Sequence, residues 1–242
     1  MRALAVDQPA TVWTRPDRGA RGPAPERSRV QVTAAAVELA DEGGLAAVSM
    51  RQVATMLDTG PASLYRYVGS RDDLVDLTVD AMAGEIDLGV PLSGDPVDDL
   101  VALADRTKAV HLRHPWLLDV PPEHLRAGPR GLDHLEYGLR AMAPASLPGP
   151  AKLAALALLN SLVTQFARLE LHGRRSPTDR QAAQAAYLAG AASDGNHPLL
   201  AAAMAEAPTN GTTAGTTAVD GPANPQASFE RMVRWVLTGL VG

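Results

Sequence analysis

Ser63, Tyr65 and Arg66 stand close together in the run Pro61-Ala62-Ser63-Leu64-Tyr65-Arg66-Tyr67. Small, hydroxylated and cationic side chains of this kind can enter a major groove, touch base edges and anchor on phosphates. Bond-breaking chemistry has no comparable signal. No nucleophile-base-acid constellation, Gly-rich phosphate loop or metal motif is visible, so the chain is expected not to be an enzyme. Cysteine is absent, which removes a disulfide framework, a Cys-ligated zinc site and a thiol nucleophile together. His111 and His114 have a spacing that could hold a metal, but no third ligand can be named and Pro115 follows at once. Neither metal nor cofactor is expected.

The elements that must position these groups read as helices. Strand signals are weak, with aromatic residues at 4% and no run of alternation bounded by hairpin turns. A first helix is expected from Ser28, a plausible N-cap, to Asp41, with Val30, Ala34, Val37, Leu39 and Ala40 as its apolar stripe and Gly43-Gly44 ending it. Ser49 reads as the N-cap of a short second helix ending near Leu57, and Asp58-Thr59-Gly60 as a turn. A third helix follows from Pro61, whose fixed φ suits a first helical turn, through Tyr67. Ser70 caps a fourth, Arg71 to Asp87, with Asp72 and Asp73 where the helix dipole favours negative charge. Two such short helices are not stable alone. Val53, Ala54, Leu57, Leu64 and Val68 supply a small shared core, and Ala54 keeps the crossing close. The face left outside carries Ser63, Tyr65, Arg66 and Tyr67.

The run from Gly44 to Met82 closely resembles the DNA-binding domain of the TetR family of bacterial transcriptional regulators, in its tetracycline-repressor-like branch. Its strongest tokens are Ser49-Met50-Arg51, Val53-Ala54, Ser63-Leu64-Tyr65, Val68 and Arg71-Asp72-Asp73-Leu74, with weaker likeness at Trp13, Arg21-Gly22-Pro23 and His114-Pro115-Trp116. The resemblance implies that Ser49 and Arg51 hold phosphate or an outer base. It implies that Pro61, Ala62, Ser63, Tyr65, Arg66 and Tyr67 form the recognition face, with the Tyr65 hydroxyl on phosphate. It also implies that Arg71 contacts phosphate. Asp58 and Thr59 depart from the family's usual Gly and Val. Asp tolerates a left-handed conformation better than most residues, so the turn is expected to survive.

On this reading the fold is all-α: a three-helix helix-turn-helix domain over 27–75 and a helical ligand-binding and dimerisation domain over 76–242. A Pro/Gly/Arg-rich flexible arm over 1–26 precedes them, and its basic residues suit either a DNA groove or a solvated tail. Later helices are expected at 96–113, 129–142, 150–172, 178–191 and 228–241, and a disordered Thr/Gly/Ala/Pro-rich loop at 205–228.

The helix at 150–172 is apolar nearly all round, so it must be buried on more than one face. The last helix sets Phe229, Met232, Val233, Val236, Leu237 and Leu240 on one stripe. Together they are expected to pair a homodimer as a four-helix bundle, as the resemblance implies, with Phe166 and Leu237 in the interface. A sensor pocket needs apolar walls and a few polar groups. Its candidates are His111, His114, Trp116, Tyr137, Asn160, Thr164, Gln165 and Arg168.

The net charge of -5 excludes a polybasic coat, so any DNA contact is local. The N-terminus forms no apolar signal segment, and no window suits a membrane span. A cytoplasmic protein with double-stranded operator DNA, a small-molecule effector and a second copy of itself as partners is the leading expectation. A helical interaction protein without DNA binding is the alternative, with an enzyme a more distant one.

Overall fold

The computed structural model describes residues 11–14, 28–121, 127–174, 178–205 and 225–241. Among the described residues every regular element is helical: α1 (Arg29–Gly43), α2 (Met50–Met56), α3 (Pro61–Leu64), α4 (Arg71–Ala83), α5 (Pro96–Arg113), α6 (Pro129–Ala141), α7 (Gly149–Gly173), α8 (Asp179–Ser193), α9 (Pro198–Ala205) and α10 (Pro225–Val241). No helix among them is long and apolar enough to cross a membrane. The chain divides into two compact units, one of residues 1–92 and 106–143, the other of residues 93–105 and 144–242. The division passes inside α5. A boundary at 75/76 falls inside α4.

In the first unit, caps set where the helices begin. Ser28 accepts from the Gln31 amide at 3.2 Å while the Gln31 side chain accepts from the Ser28 amide at 2.9 Å, a reciprocal capping box. α1 ends at Gly44, whose φ of 72° is the left-handed region open to glycine. The buried face of α1 is Val32, Ala35, Ala36 and Ala40, spaced i, i+3, i+4 and i+8. This corrects the expected stripe, because Val30 is 77% exposed and Ala34 is exposed too. α1 packs on α2 and α4 through these alanines, whose small side chains let the backbones approach.

Ser70 caps α4 by accepting from the Asp73 amide at 3.0 Å, and the Asp73 carboxylate accepts from the Gly69 amide at 2.7 Å. Leu74, Val75, Leu77, Thr78, Met82 and Ile86 are all buried, as a helix packed on several neighbours requires. The helix itself stops at Ala83, four positions before the expected Asp87. α4 also packs against α6 and against a short 3₁₀ turn, Val12–Thr14. That turn corrects the expected flexible arm, since Val12 is fully buried. The rest of the arm, 1–10 and 15–27, lies outside the described residues.

In the second unit, α7 buries Ala155, Leu156, Leu159, Val163 and Ala167, and α10 buries Phe229, Val233, Leu237 and Val241. These two helices pack together, with the Phe166 and Phe229 rings edge to face at 5.2 Å. Asp99 accepts from the amides of Ser93 and Gly94 at 2.7 and 3.2 Å, closing the turn before α5. α9 was not expected, and it buries none of its residues. The expected loop at 205–228 holds for neither end: Ala205 closes α9 and residues 225–228 open α10. Residues 206–224 lie outside the described residues.

Candidate nucleic-acid interface and effector-side residues

α2 and α3 lie either side of a turn whose geometry follows from one residue. Asp58 has φ 48°, the single non-glycine positive φ among the described residues. The Thr59 amide donates to Ala54 O at 2.9 Å and the Asp58 amide to Thr55 O at 3.1 Å. This is a Schellman end to α2 with aspartate at the position glycine usually fills. Thr59 has its own role there: its hydroxyl meets the Ser63 hydroxyl at 2.8 Å, and Ser63 donates to Gly60 O at 2.7 Å. The turn is therefore locked from both ends, which holds α3 in one orientation over Val53, Ala54, Leu64 and Val68, all buried. Leu57, expected in that core, is half-buried at the end of α2.

α3 is a single turn, Pro61–Leu64, shorter than the expected Pro61–Tyr67. Pro61, Ala62, Tyr65 and Arg66 are exposed, with Tyr65 at 58%. Ser63 is half-buried, and its hydroxyl proton is spent on Gly60 O, which leaves it an acceptor for any partner. Tyr67 differs from the expectation: it is buried, with the Arg66 guanidinium 4.9 Å from its ring centroid. Its ring completes the core beneath the turn while steadying Arg66.

The flanking residues are less uniform than the sequence suggests. Arg51 is exposed on α2. Ser49 caps α2 by accepting from the Gln52 amide at 3.2 Å, so its oxygen serves the fold first. Arg71 is exposed, yet its Nε and Nη2 donate to the carbonyls of Val48 and Leu45, each at 2.9 Å. Its guanidinium ties the start of α4 to the residues before α2, a role in addition to the expected phosphate contact.

The effector candidates fall into separate groups. His114 is buried with Nδ1 2.7 Å from Asp41 Oδ1 and Nε2 3.1 Å from Glu85 Oε2. The Trp116 indole N–H donates to the same Asp41 oxygen at 2.7 Å, and Arg113 pairs with Glu85. All the polar positions of His114 and Trp116 are thus engaged with the ends of α1 and α4. His111 and Tyr137 belong to a second cluster that also holds Arg106, Thr107 and His134, residues the sequence reading missed. His111 Nδ1 meets Thr107 O at 2.9 Å, His134 Nε2 meets the Thr107 hydroxyl at 3.3 Å, and Arg106 donates to the Tyr137 hydroxyl at 3.2 Å. Tyr137 in turn donates to Val90 O at 2.9 Å.

Burial pushes the pKa of His111 down, against a smaller opposing effect of the Thr107 carbonyl. Burial also pushes His134 down, reinforced by the charges of His111 and Arg106. Both imidazoles are therefore held towards the neutral form, and Arg106 supplies the positive charge. In the second unit, Asn160, Thr164, Gln165 and Arg168 lie along α7; Thr164 donates to Asn160 O at 2.9 Å, Gln165 is exposed, and Asn160 and Arg168 are half-buried.

Comparison with known proteins gives matches over most of the chain. Residues 32–77 match the family model described as bacterial regulatory proteins, tetR family, and residues 90–240 match the tetracyclin repressor-like C-terminal domain. The chain is 34% identical over 201 residues to the HTH-type transcriptional repressor DrrR1 of Streptomyces coeruleorubidus, covering 78% of this chain and 73% of that protein. It is 30% identical over 233 residues to an HTH-type transcriptional regulator of Saccharopolyspora erythraea, covering 96% and 92%. Among solved structures it is similar to the TetR family protein ActR of Streptomyces coelicolor in complex with actinorhodin, with a TM-score of 0.69 and 25% identity over 90% of this chain and 96% of that one.

Proposed function

The chain belongs to the TetR family of bacterial transcriptional regulators, and from that premise we propose that it represses transcription in the cytoplasm as a homodimer on a palindromic operator, released by a small molecule. The observation that carries this reading is the α3 face. Pro61, Ala62, Tyr65 and Arg66 are exposed on a turn locked by Asp58, Thr59 and Ser63, with Arg51 exposed on the helix before it. A rigid, partly cationic ridge of this size fits a major groove. Arg66, Pro61 and Ala62 meet base edges, while Tyr65, Arg51, the backbone near Ser49 and the free side of Arg71 meet phosphates. One such ridge reads a half-site, and a two-fold dimer reads two at a fixed spacing.

Release by an effector follows from linkage: a ligand that binds one arrangement of the two recognition faces better than the other must shift DNA affinity, and DNA must shift ligand affinity by the same factor. The Arg106, His111, His134 and Tyr137 cluster is the polar group we assign to effector recognition in the first unit, with Asn160, Thr164, Gln165 and Arg168 as candidates in the second. Actinorhodin, the ligand of the similar ActR structure, is the first compound to test. Titrating it with and without a selected operator duplex should give two different affinities. Equal affinities would remove actinorhodin as effector, and failure of any duplex to bind would remove the repressor reading.

A further inference from the structure

The first turn of α6 is capped by a residue of another helix. Pro129, its first residue, has no amide proton. The next two amides, Arg130 and Gly131, both donate to the carboxylate of Asp80 on α4, at 3.3 and 2.8 Å. Asp80 is only 6% exposed, so this anion sits against the positive end of α6 with little water to compete. α4 and α6 are thereby joined through a pair of charge-assisted bonds that break together if either helix slides.

One glycine makes room for that joint: a Cβ on Gly128 would lie 2.4 Å from Trp13 Cζ2 and 2.6 Å from Asp80 Cγ. The space beside the cap is therefore filled by the indole of Trp13, which is carried there by the Val12–Thr14 turn and anchored by the fully buried Val12. The indole lies against Gly128 and its turn packs on α4, at the joint between the helix that follows the DNA-binding turn and the helix that carries His134 and Tyr137.

We propose that Trp13 is a positioning residue for regulated DNA binding: its seat on Gly128 holds the Asp80 cap of α6 in place, so the seat and the α4–α6 joint respond together when DNA is bound. This rests on the repressor reading above. Trp13 is half-buried, and the side of its indole that faces Gly128 and Asp80 is close enough to register a small displacement of the cap, because a Cβ at Gly128 would already clash with the ring. Where the seat differs between the free and the DNA-bound chain, linkage makes a change in the seat alter operator affinity, although Trp13 is not on the recognition face.

The experiment uses the full chain labelled with 5-fluorotryptophan and a duplex recovered by binding-site selection. The Trp13 fluorine resonance, assigned by its loss in Trp13→Phe, is expected to move when the duplex is added. Trp13→Ala and Gly128→Ala are each expected to change the duplex dissociation constant at least fivefold, and Trp13→Phe to restore it to within twofold of the parent. Gly128→Ala should also displace the Trp13 resonance before DNA is present; if that variant fails to fold, Trp13→Ala and the resonance of the parent decide. A resonance unmoved by a duplex that binds, with Trp13→Ala within twofold of the parent, overturns this proposal alone. A parent chain that binds no duplex overturns the repressor reading and this proposal with it.

Discussion

Arg71 Nε donates to the carbonyl oxygen of Val48, 2.9 Å away and 23 positions earlier in the chain, so a residue that reads as a phosphate contact also fastens the DNA-binding unit together. With its second bond to Leu45, Arg71→Ala should lower the stability of the chain by about 1–2 kcal/mol, the range for hydrogen bonds with a charged partner discounted for exposure. Arg51 has no such tie through its side chain among the bonds seen, and Arg51→Ala should leave the urea midpoint unchanged. Both variants should weaken binding to all duplexes alike, with Arg51→Ala reducing the salt slope by about 1. An Arg71→Ala variant with parental stability would return Arg71 to a purely DNA-facing role.

Asp58 carries the strain of the turn. Asp58→Gly should be close to neutral, within about 1 kcal/mol, because relief of the positive φ is offset by glycine's greater freedom in the unfolded chain. Asp58→Val should lose about 1–3 kcal/mol, since a β-branched residue is poorly tolerated there. Asp58→Asn should keep the fold and tighten duplex binding, having removed a carboxylate beside the phosphate-facing surface. Weaker binding by a stable Asp58→Asn would show that the carboxylate assists the contact.

The lowered pKa values of His111 and His134 give stability a pH dependence of definite sign. Above the ordinary histidine value of about 6.5, neither the folded nor the unfolded chain is protonated at these sites. As pH falls below it, the unfolded chain takes up protons that the folded chain resists, so stability drops by at most about 1.4 kcal/mol per pH unit for each histidine. At His134 the charges of His111 and Arg106 add to burial in opposing an imidazolium, and at His111 burial outweighs the Thr107 carbonyl that favours one. Urea midpoints at about pH 7.5 and about pH 5.5 should therefore differ, and His134→Gln should shrink the difference. Equal midpoints in the parent would contradict the neutral, buried assignment.

The starts of α1, α2 and α4 were legible in the sequence because capping is local: Ser28, Ser49 and Ser70 each accept from an amide three residues on. The left-handed Asp58 was legible from the family resemblance, which puts glycine at that position, and from aspartate's tolerance of the conformation. The buried face of α1 was misread because its alanines satisfy more than one helical phase, and only packing on α2 and α4 selects Val32 over Val30. The α3 face was mostly legible, yet the inward turn of Tyr67 depends on where a one-turn helix ends. The bonds of His114 and Trp116 to the end of α1 were not legible, because their partner, Asp41, lies 73 and 75 positions away. The Asp80 cap on α6 and the Trp13 seat are likewise tertiary events, and no local pattern announces a cap supplied by another helix.

The dimer prediction changes its residues. Leu237 is 1% exposed within one chain, so Leu237→Glu should unfold the second unit rather than split a dimer, as a buried unpaired charge is costly. α7 instead leaves Leu153, Leu158 and Leu169 exposed, and α10 leaves Trp235 at 74%. Leu158→Glu with Trp235→Glu should sediment as a folded monomer where the parent sediments as a dimer. A folded, dimeric double variant would place the interface elsewhere.

The central claim, that the locked α3 face reads DNA in two copies, is tested most directly by selecting binding sites from a random duplex library with the full chain. The account predicts enrichment of an inverted repeat whose half-sites are bound with a steep salt dependence. It also predicts that Arg66→Ala changes the preferred bases at one symmetric pair of positions, a loss of about 1–3 kcal/mol per good base contact. Recovery of no enriched sequence, or of an inverted repeat whose bases are read identically by Arg66→Ala, would contradict it.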